Sequence, residues 1–305
     1  MGNVSVGVPG EASSASFRER VTVVAALFSL YIIWGSTYLG IRYALEGFPP
    51  FLLGGIRFVI AGGALYTVLR LRGAAAPNRA QWIGSSIVGL LLIVGGNGGV
   101  TFAEQWVASG LAALGVASTP LWIVLFAGLW GQWPARREWI GLLLGFGGVV
   151  LLNLEGDLRA NPLGAAALLL ATLAWSWGSI WSRHLSLPDG LMASAAQMLI
   201  GGLVMLLLSL GAGEQIAAMP SARALGALVY LITFGSLIAY SAYGYVFARL
   251  RPALASSYAY VNPVVAVGLG VGLAGEQIGL RGVLAMLVIL ASVGLLAVVR
   301  GRQAH

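Results

Sequence analysis

Trp34-Gly35-Ser36 recurs 143 residues later as Trp177-Gly178-Ser179, and Pro120 recurs at the same offset as Pro263. Two landmarks at one spacing mark an internal duplication with a period near half the chain. Each Trp-Gly-Ser stretch lies late in the first apolar run of its half. Each proline lies in the middle of the fourth run. A further match, Arg57 with Gly62 against Gln197 with Gly202, has an offset of 140, so the second half has lost a few loop residues. The fold must therefore contain one unit twice.

The unit is built from apolar runs. A bilayer core needs about 20 apolar residues per helix. Ten runs meet that length: 21–41, 51–70, 82–103, 107–131, 138–154, 163–182, 190–210, 224–247, 253–275 and 282–299. Only 9% of residues are charged, against about 25% in soluble domains, and the charges sit in the short loops. The runs show no period-2 alternation, which argues against a membrane β-barrel. The 44 glycines suit close helix contacts in lipid. The predicted class is an all-α integral membrane protein with ten transmembrane helices. Its parts are a tail at 1–20, a five-helix repeat at 21–154, a linker at 155–162, a second repeat at 163–299 and a tail at 300–305. The run from Val21 is too long for a signal-peptide core and reads as an uncleaved first span.

Orientation follows from arginine, since the chain has no lysine. With the N-terminus inside, the inner segments hold twelve arginines and the outer ones four: Arg42, Arg159, Arg223 and Arg281. This positive-inside bias places both termini in the cytoplasm and the 155–162 linker outside. Arg57 is the remaining one, within the second run. Arginines scattered as topology signals do not form a nucleic-acid surface, so no nucleic-acid partner is expected. Five spans per repeat is an odd number. The second repeat thus enters the membrane upside down, as in many secondary transporters. Trp34 then reads as nearer the outer end of its helix and Trp177 as nearer the inner end, so the motifs, with Gly35 and Gly178, are candidates for paired gates.

Several polar and aromatic positions are candidates for a site. Pro120 and Pro263 lack an N–H and kink a helix, freeing the carbonyls of Val116 and Ala259. They read either as static kinks or as hinges that open backbone into a cavity. Tyr258 and Asn262, four apart, share a helix face that either lines the cavity or bonds to a neighbouring helix. Trp34, Tyr38, Trp177 and Tyr240 lie deeper than the interfacial anchors Trp82, Trp133 and Trp139, and their rings suit apolar, aromatic or cationic groups. Arg57 either binds a substrate carboxylate or locks packing against backbone carbonyls. Asn97, Gln197, Ser36 and Ser179 can orient a ligand.

The acidic residues all map to loops or span ends, with Glu104 and Glu276 at outer ends. A deep carboxylate, the usual proton or cation site in a membrane, is missing from the runs. There is no cysteine, and the two histidines are His184, in a loop, and His305 at the end. The sequence offers no metal set, no cofactor motif and no nucleophile paired with a base, so an intramembrane enzyme is disfavoured.

The residues together resemble the drug/metabolite transporter superfamily, in its ten-helix branch of two EamA-type repeats. Ile33-Trp34-Gly35-Ser36, Arg57-Phe58, Thr119-Pro120, and Asn262-Pro263 followed by Gly275-Glu276 carry the resemblance, which covers about residues 21–299. The first half departs from the pattern, with Gly131-Gln132-Trp133-Pro134 where Gly-Glu would follow helix four. Within the superfamily the chain is most similar to YddG-type amino acid exporters. The resemblance implies export of small metabolites across a bacterial inner membrane, here neutral or aromatic amino acids, by alternating access between the repeats, and a chain working as a monomer. The site would combine Trp34, Tyr38, Trp177, Tyr240, Tyr258 and Asn262. Export of drugs, organic cations, sugars or nucleotide precursors on the same scaffold is the alternative, and a sensor without flux is a further one.

Overall fold

A computed structural model describes residues 9–107, 112, 115–153, 161–274 and 279–299, and the described residues form helices with no strand. Helix α1 (Pro9–Leu45) starts before the apolar run at Val21 and ends beyond it. It is followed by α2 (Pro50–Leu71), α3 (Arg79–Ala103), α4 (Thr119–Gly128) and α5 (Arg136–Asn153). The second half contributes α6 (Pro162–Trp181), α7 (Leu191–Gly211), α8 (Ala222–Arg249), α9 (Tyr258–Ala274) and α10 (Leu280–Val299). Against the ten expected spans, α1, α2, α3, α6, α7, α8 and α10 are long and apolar enough to cross a membrane, and α4 is a shorter apolar helix. Helix α5 opens on Arg136, Arg137 and Glu138, and α9 has 17 described residues. Most of the linker, the C-terminal tail and Glu276 fall outside the described residues.

Local chemistry explains the helix starts. Asn78 and Gln81 form a reciprocal capping box at the start of α3. Ser221 accepts from the Ala224 amide at the start of α8, and Asn161 from Leu163 at the start of α6. Helix α2 is capped from a distance. The Glu214 carboxylate, just past α7, accepts from the amides of Phe51 (3.2 Å) and Leu52 (2.8 Å). It places a negative charge at the two first-turn amides that lack backbone partners, Pro49 and Pro50 having no N–H.

Glycine lets the helices approach. A Cβ on Gly62 of α2 would lie 2.5 Å from the Leu199 backbone nitrogen of α7, and one on Gly202 2.6 Å from Val59 N. Gly54 faces Met205 while Gly62 faces Leu199, so α2 and α7 run antiparallel. Helices α5 and α10 do the same, with Gly141 against Leu296 and Gly148 against Ile289. Other large contacts also cross between halves: α1 packs on α8 and α9, and α6 on α3 and α4. Large apolar side chains such as Phe28, Leu143, Leu207 and Leu210 lie exposed on the outside. In water so wide an apolar exterior is a liability, whereas lipid tails accept it.

Both third helices share an irregularity. Helix α3 winds as π-helix over Leu90–Gly98, and α8 over Leu231–Ile238. Such segments recur at functional sites because a wider turn re-aims side chains and frees backbone groups.

Candidate functional site

A cavity is lined by the π segment of α3, while the π segment of α8 bonds two of its wall residues, Arg57 and Trp34. The cavity holds about 80 Å³, several times what one water needs. Helix α1 supplies Trp34, Thr37 and Tyr38, α2 supplies Arg57, and α3 supplies Gly96 and Asn97. Helices α4, α6 and α9 close it with Thr119, Thr172, Trp175, Tyr258 and Asn262.

Arg57 is 4% exposed, and its Nε donates to Ser236 Oγ in the α8 π segment at 2.7 Å. Its guanidinium also covers the Phe58 ring at 4.6 Å. Gly235 makes room for it, since a Cβ there would lie 2.8 Å from Arg57 Nη2. The Gly235 carbonyl accepts from Trp34 Nε1 at 3.2 Å. One π turn thus anchors both the arginine and the indole. Among the described residues no carboxylate pairs with Arg57. Across the cavity, the buried amide oxygen of Asn262 has no hydrogen-bond partner among the described residues. A buried polar atom without a partner costs about 1–3 kcal/mol, and a ligand donor would remove that cost. The α3 π segment uses its freed backbone locally, with Asn97 Nδ2 donating to Leu92 O at 3.3 Å.

Aromatic rings seal one side. Trp34, Trp175, Tyr243 and Tyr258 have ring centroids 4.9 to 5.7 Å apart. Tyr243 is held by Ser179, and Tyr31 by Ser257. Beyond the rings, Arg183 donates to the carbonyls of Phe247 and Leu250 at 2.6 and 2.7 Å, tying the end of α6 to the end of α8. Burial holds the Arg183 guanidinium below its ordinary pKa, with Tyr243 opposing. Arg251 meets the buried Glu138 carboxylate at 3.1 Å. A separate recess of about 830 Å³ is lined by Arg42, Glu46, Glu104 and Glu214. Ile41 lines the cavity and its neighbour Arg42 the recess.

The structure brings together Trp34, Tyr38, Arg57, Tyr258 and Asn262. It places Trp177 elsewhere: a half-buried ring among Phe126, Trp130 and Trp181, with Trp130 stacked on His184. Trp175, two residues earlier and so on another helix face, takes the cavity position. Tyr240 lies one layer back, donating to Gln197 Oε1 at 2.8 Å behind Trp175 and Phe58. Trp34 belongs to the ring cluster with Trp175, Tyr243 and Tyr258. Helix α1 extends to Leu45, so Trp34 sits deeper than a span ending at residue 41 implies. Gly35 and Gly178 are close-approach points, facing Val265 of α9 and Leu91 and Leu92 of α3.

The prolines differ from the expected pair of mid-helix kinks. A turn at Ala117-Ser118 breaks the chain, and Pro120 sits in the first turn of the fresh helix α4, where a missing N–H costs nothing. A matching turn at Ser256-Ser257 precedes α9, but Pro263 lies inside that helix. Sequence reasoning missed Trp175, Gly235 and Ser236. The run Gly95-Gly96-Asn97-Gly98-Gly99 and the Gly235-Ser236 pair were the available signals for irregular helix.

The profile of the EamA-like transporter family matches the chain twice, over residues 21–154 and 162–298. The uncharacterized inner membrane transporter YedA of Escherichia coli K12 is 44% identical over 284 residues, covering 91% of this chain and 93% of that protein. Protein PecM of Dickeya dadantii is 26% identical, covering 86% and 90%. One solved crystal structure superposes with a TM-score of 0.74 at 22% identity, over 92% of this chain and 99% of its own.

Proposed function

This chain belongs to the EamA-like transporter family of the inner membrane, and on that premise we propose that it exports neutral and aromatic amino acids by alternating access between two inverted halves. One observation carries the substrate class: the cavity is lined both by the Arg57 cation, without a described carboxylate partner, and by Asn262, whose amide oxygen is unpartnered. A zwitterion satisfies both. Its carboxylate takes a charge-assisted hydrogen bond from the guanidinium, and its ammonium donates to the amide oxygen. Trp34, Trp175 and Tyr258 offer ring faces to an apolar or aromatic side chain. An organic cation would meet Arg57 as a like charge, which disfavours the drug-export alternative.

Inversion is supported by the equivalent helices α2 and α7, which run antiparallel, as do α5 and α10. The arginine bias makes the Arg183 end cytoplasmic. On that reading the recess opens outward, and the ring seal with Arg183 forms the inner closure. Transport then requires the α6–α8 tie to break while the recess closes, with α9 flexing near Pro263.

Arg57→Leu is the test. A lost charge-assisted contact of about 1.5–3 kcal/mol raises the KM for phenylalanine roughly 10- to 150-fold in proteoliposome counterflow. Binding of the decarboxylated amine should weaken far less or improve. An unchanged KM in folded protein removes Arg57 from the site.

A further inference from the structure

Glu104 follows the last residue of α3, at the span end where the sequence places it. Both carboxylate oxygens are buried and neither has a hydrogen-bond partner among the described residues. The side chain nonetheless belongs to the wall of the 830 Å³ recess. An ionised carboxylate stripped of water and donors is the most costly arrangement a buried acid can take. Some ligand must neutralise it.

The surrounding groups do not. Arg42 and Tyr38 of α1 lie within electrostatic reach, but Arg42 is exposed and makes no ion pair with Glu104 within 4 Å. Glu46, on the same recess, is held by Arg223 at 2.6 Å, and Glu214 is spent on the α2 amides. Helix α6, packed against the end of α3, has no titratable side chain over Pro162–Trp181, and the first on α2 is Arg57, two turns deeper. With no solvent-accessible oxygen, neither an ammonium group nor a hydrated metal ion reaches the carboxylate. A proton does.

We propose that Glu104 is a proton-binding site of the recess, through which acidity on that side favours the conformation seen here. The step is the protonation of one carboxylate to a neutral carboxylic acid, and no other bond changes. The inference rests on the transporter reading for its role, though not for the site itself. Burial pushes this carboxyl up from 4.5 to about 8, with Arg42 acting the other way. Relative to a conformation in which Glu104 is hydrated, the buried form gains its full advantage below pH 4.5 and loses it as pH rises through about 8. Inside that window each pH unit shifts the ratio of the two conformations by up to about tenfold. In an exporter whose recess faces outward, outer acidity then holds the release state open.

The test is infrared difference spectroscopy on purified protein, native minus Glu104→Gln, followed over pH. The expected result is a carboxylic acid C=O band at pH 7 that Glu104→Gln removes, that Glu104→Asp retains, and that fades with a midpoint near 8. A folded native protein with no such band at pH 7 overturns the proposal. Phenylalanine counterflow in proteoliposomes then tests the role. Outer acidification should slow phenylalanine exchange several-fold in the native chain, because the held state must close to return, and not in Glu104→Gln; equal slowing in both overturns the coupling. A band with no phenylalanine flux would leave the proton site standing and reject the amino acid reading alone.

Discussion

Trp34-Gly35-Ser36 and Trp177-Gly178-Ser179 are identical in sequence and sit in opposite settings. Trp34 is buried in the ring seal, donates to the Gly235 carbonyl and lines the cavity. Trp177 is half-buried beside Trp130 and Phe126, away from the cavity. Ser36 meets Tyr230 near the start of α8, while Ser179 meets Tyr243 near its end. The backbone of the motif is duplicated in use: each glycine admits a neighbouring helix. The indoles are not. A duplicated unit keeps its packing rule because both copies must cross helices closely. Its exposed chemistry drifts because one cavity needs only one set of walls.

Alanine scanning should break or confirm this contrast. Trp34→Ala removes a buried ring, costing about 3–5 kcal/mol of stability, and should lower phenylalanine flux at least roughly tenfold. Trp177→Ala should cost about 1–2 kcal/mol and leave flux within about threefold, measured by thermal unfolding in detergent and by counterflow. Equal losses would mean that both motifs gate. The prolines come next. Pro263→Ala restores an N–H inside α9, and should keep the fold while lowering turnover roughly threefold or more. Pro120→Ala, at a first turn, should change turnover less than about twofold. If Pro263→Ala turns over like the native chain, the hinge is lost. The serines are the finest probe. Ser179→Ala strands a buried tyrosine hydroxyl and should cost about 1–2 kcal/mol, while Ser36→Ala, half-buried, should cost under about 1 kcal/mol. A reversed order would show that the Tyr230 contact is the tighter one.

Much of the site's membership was legible. Asn97, Arg57, Tyr258 and Asn262 announced themselves as polar groups in apolar runs, because lipid penalises them unless a partner or a cavity receives them. Trp175 did not, since one indole in a tryptophan-rich helix looks like another until the helix is rotated against its neighbours. The ring seal needs four helices at once. The π segments were equally hidden: their glycines permit irregular winding, but only packing against α6 and α2 imposes it.

By itself the sequence determined the membrane class and the repeated family unit, because hydropathy and motif spacing act locally along the chain. Tertiary structure decided which copy of the motif faces the cavity, that the two prolines occupy different helix positions, and that Glu104 loses its water at a helix end. Those outcomes depend on what surrounds a side chain, and for Glu104 the surroundings come from α1 and the recess wall rather than from its own run.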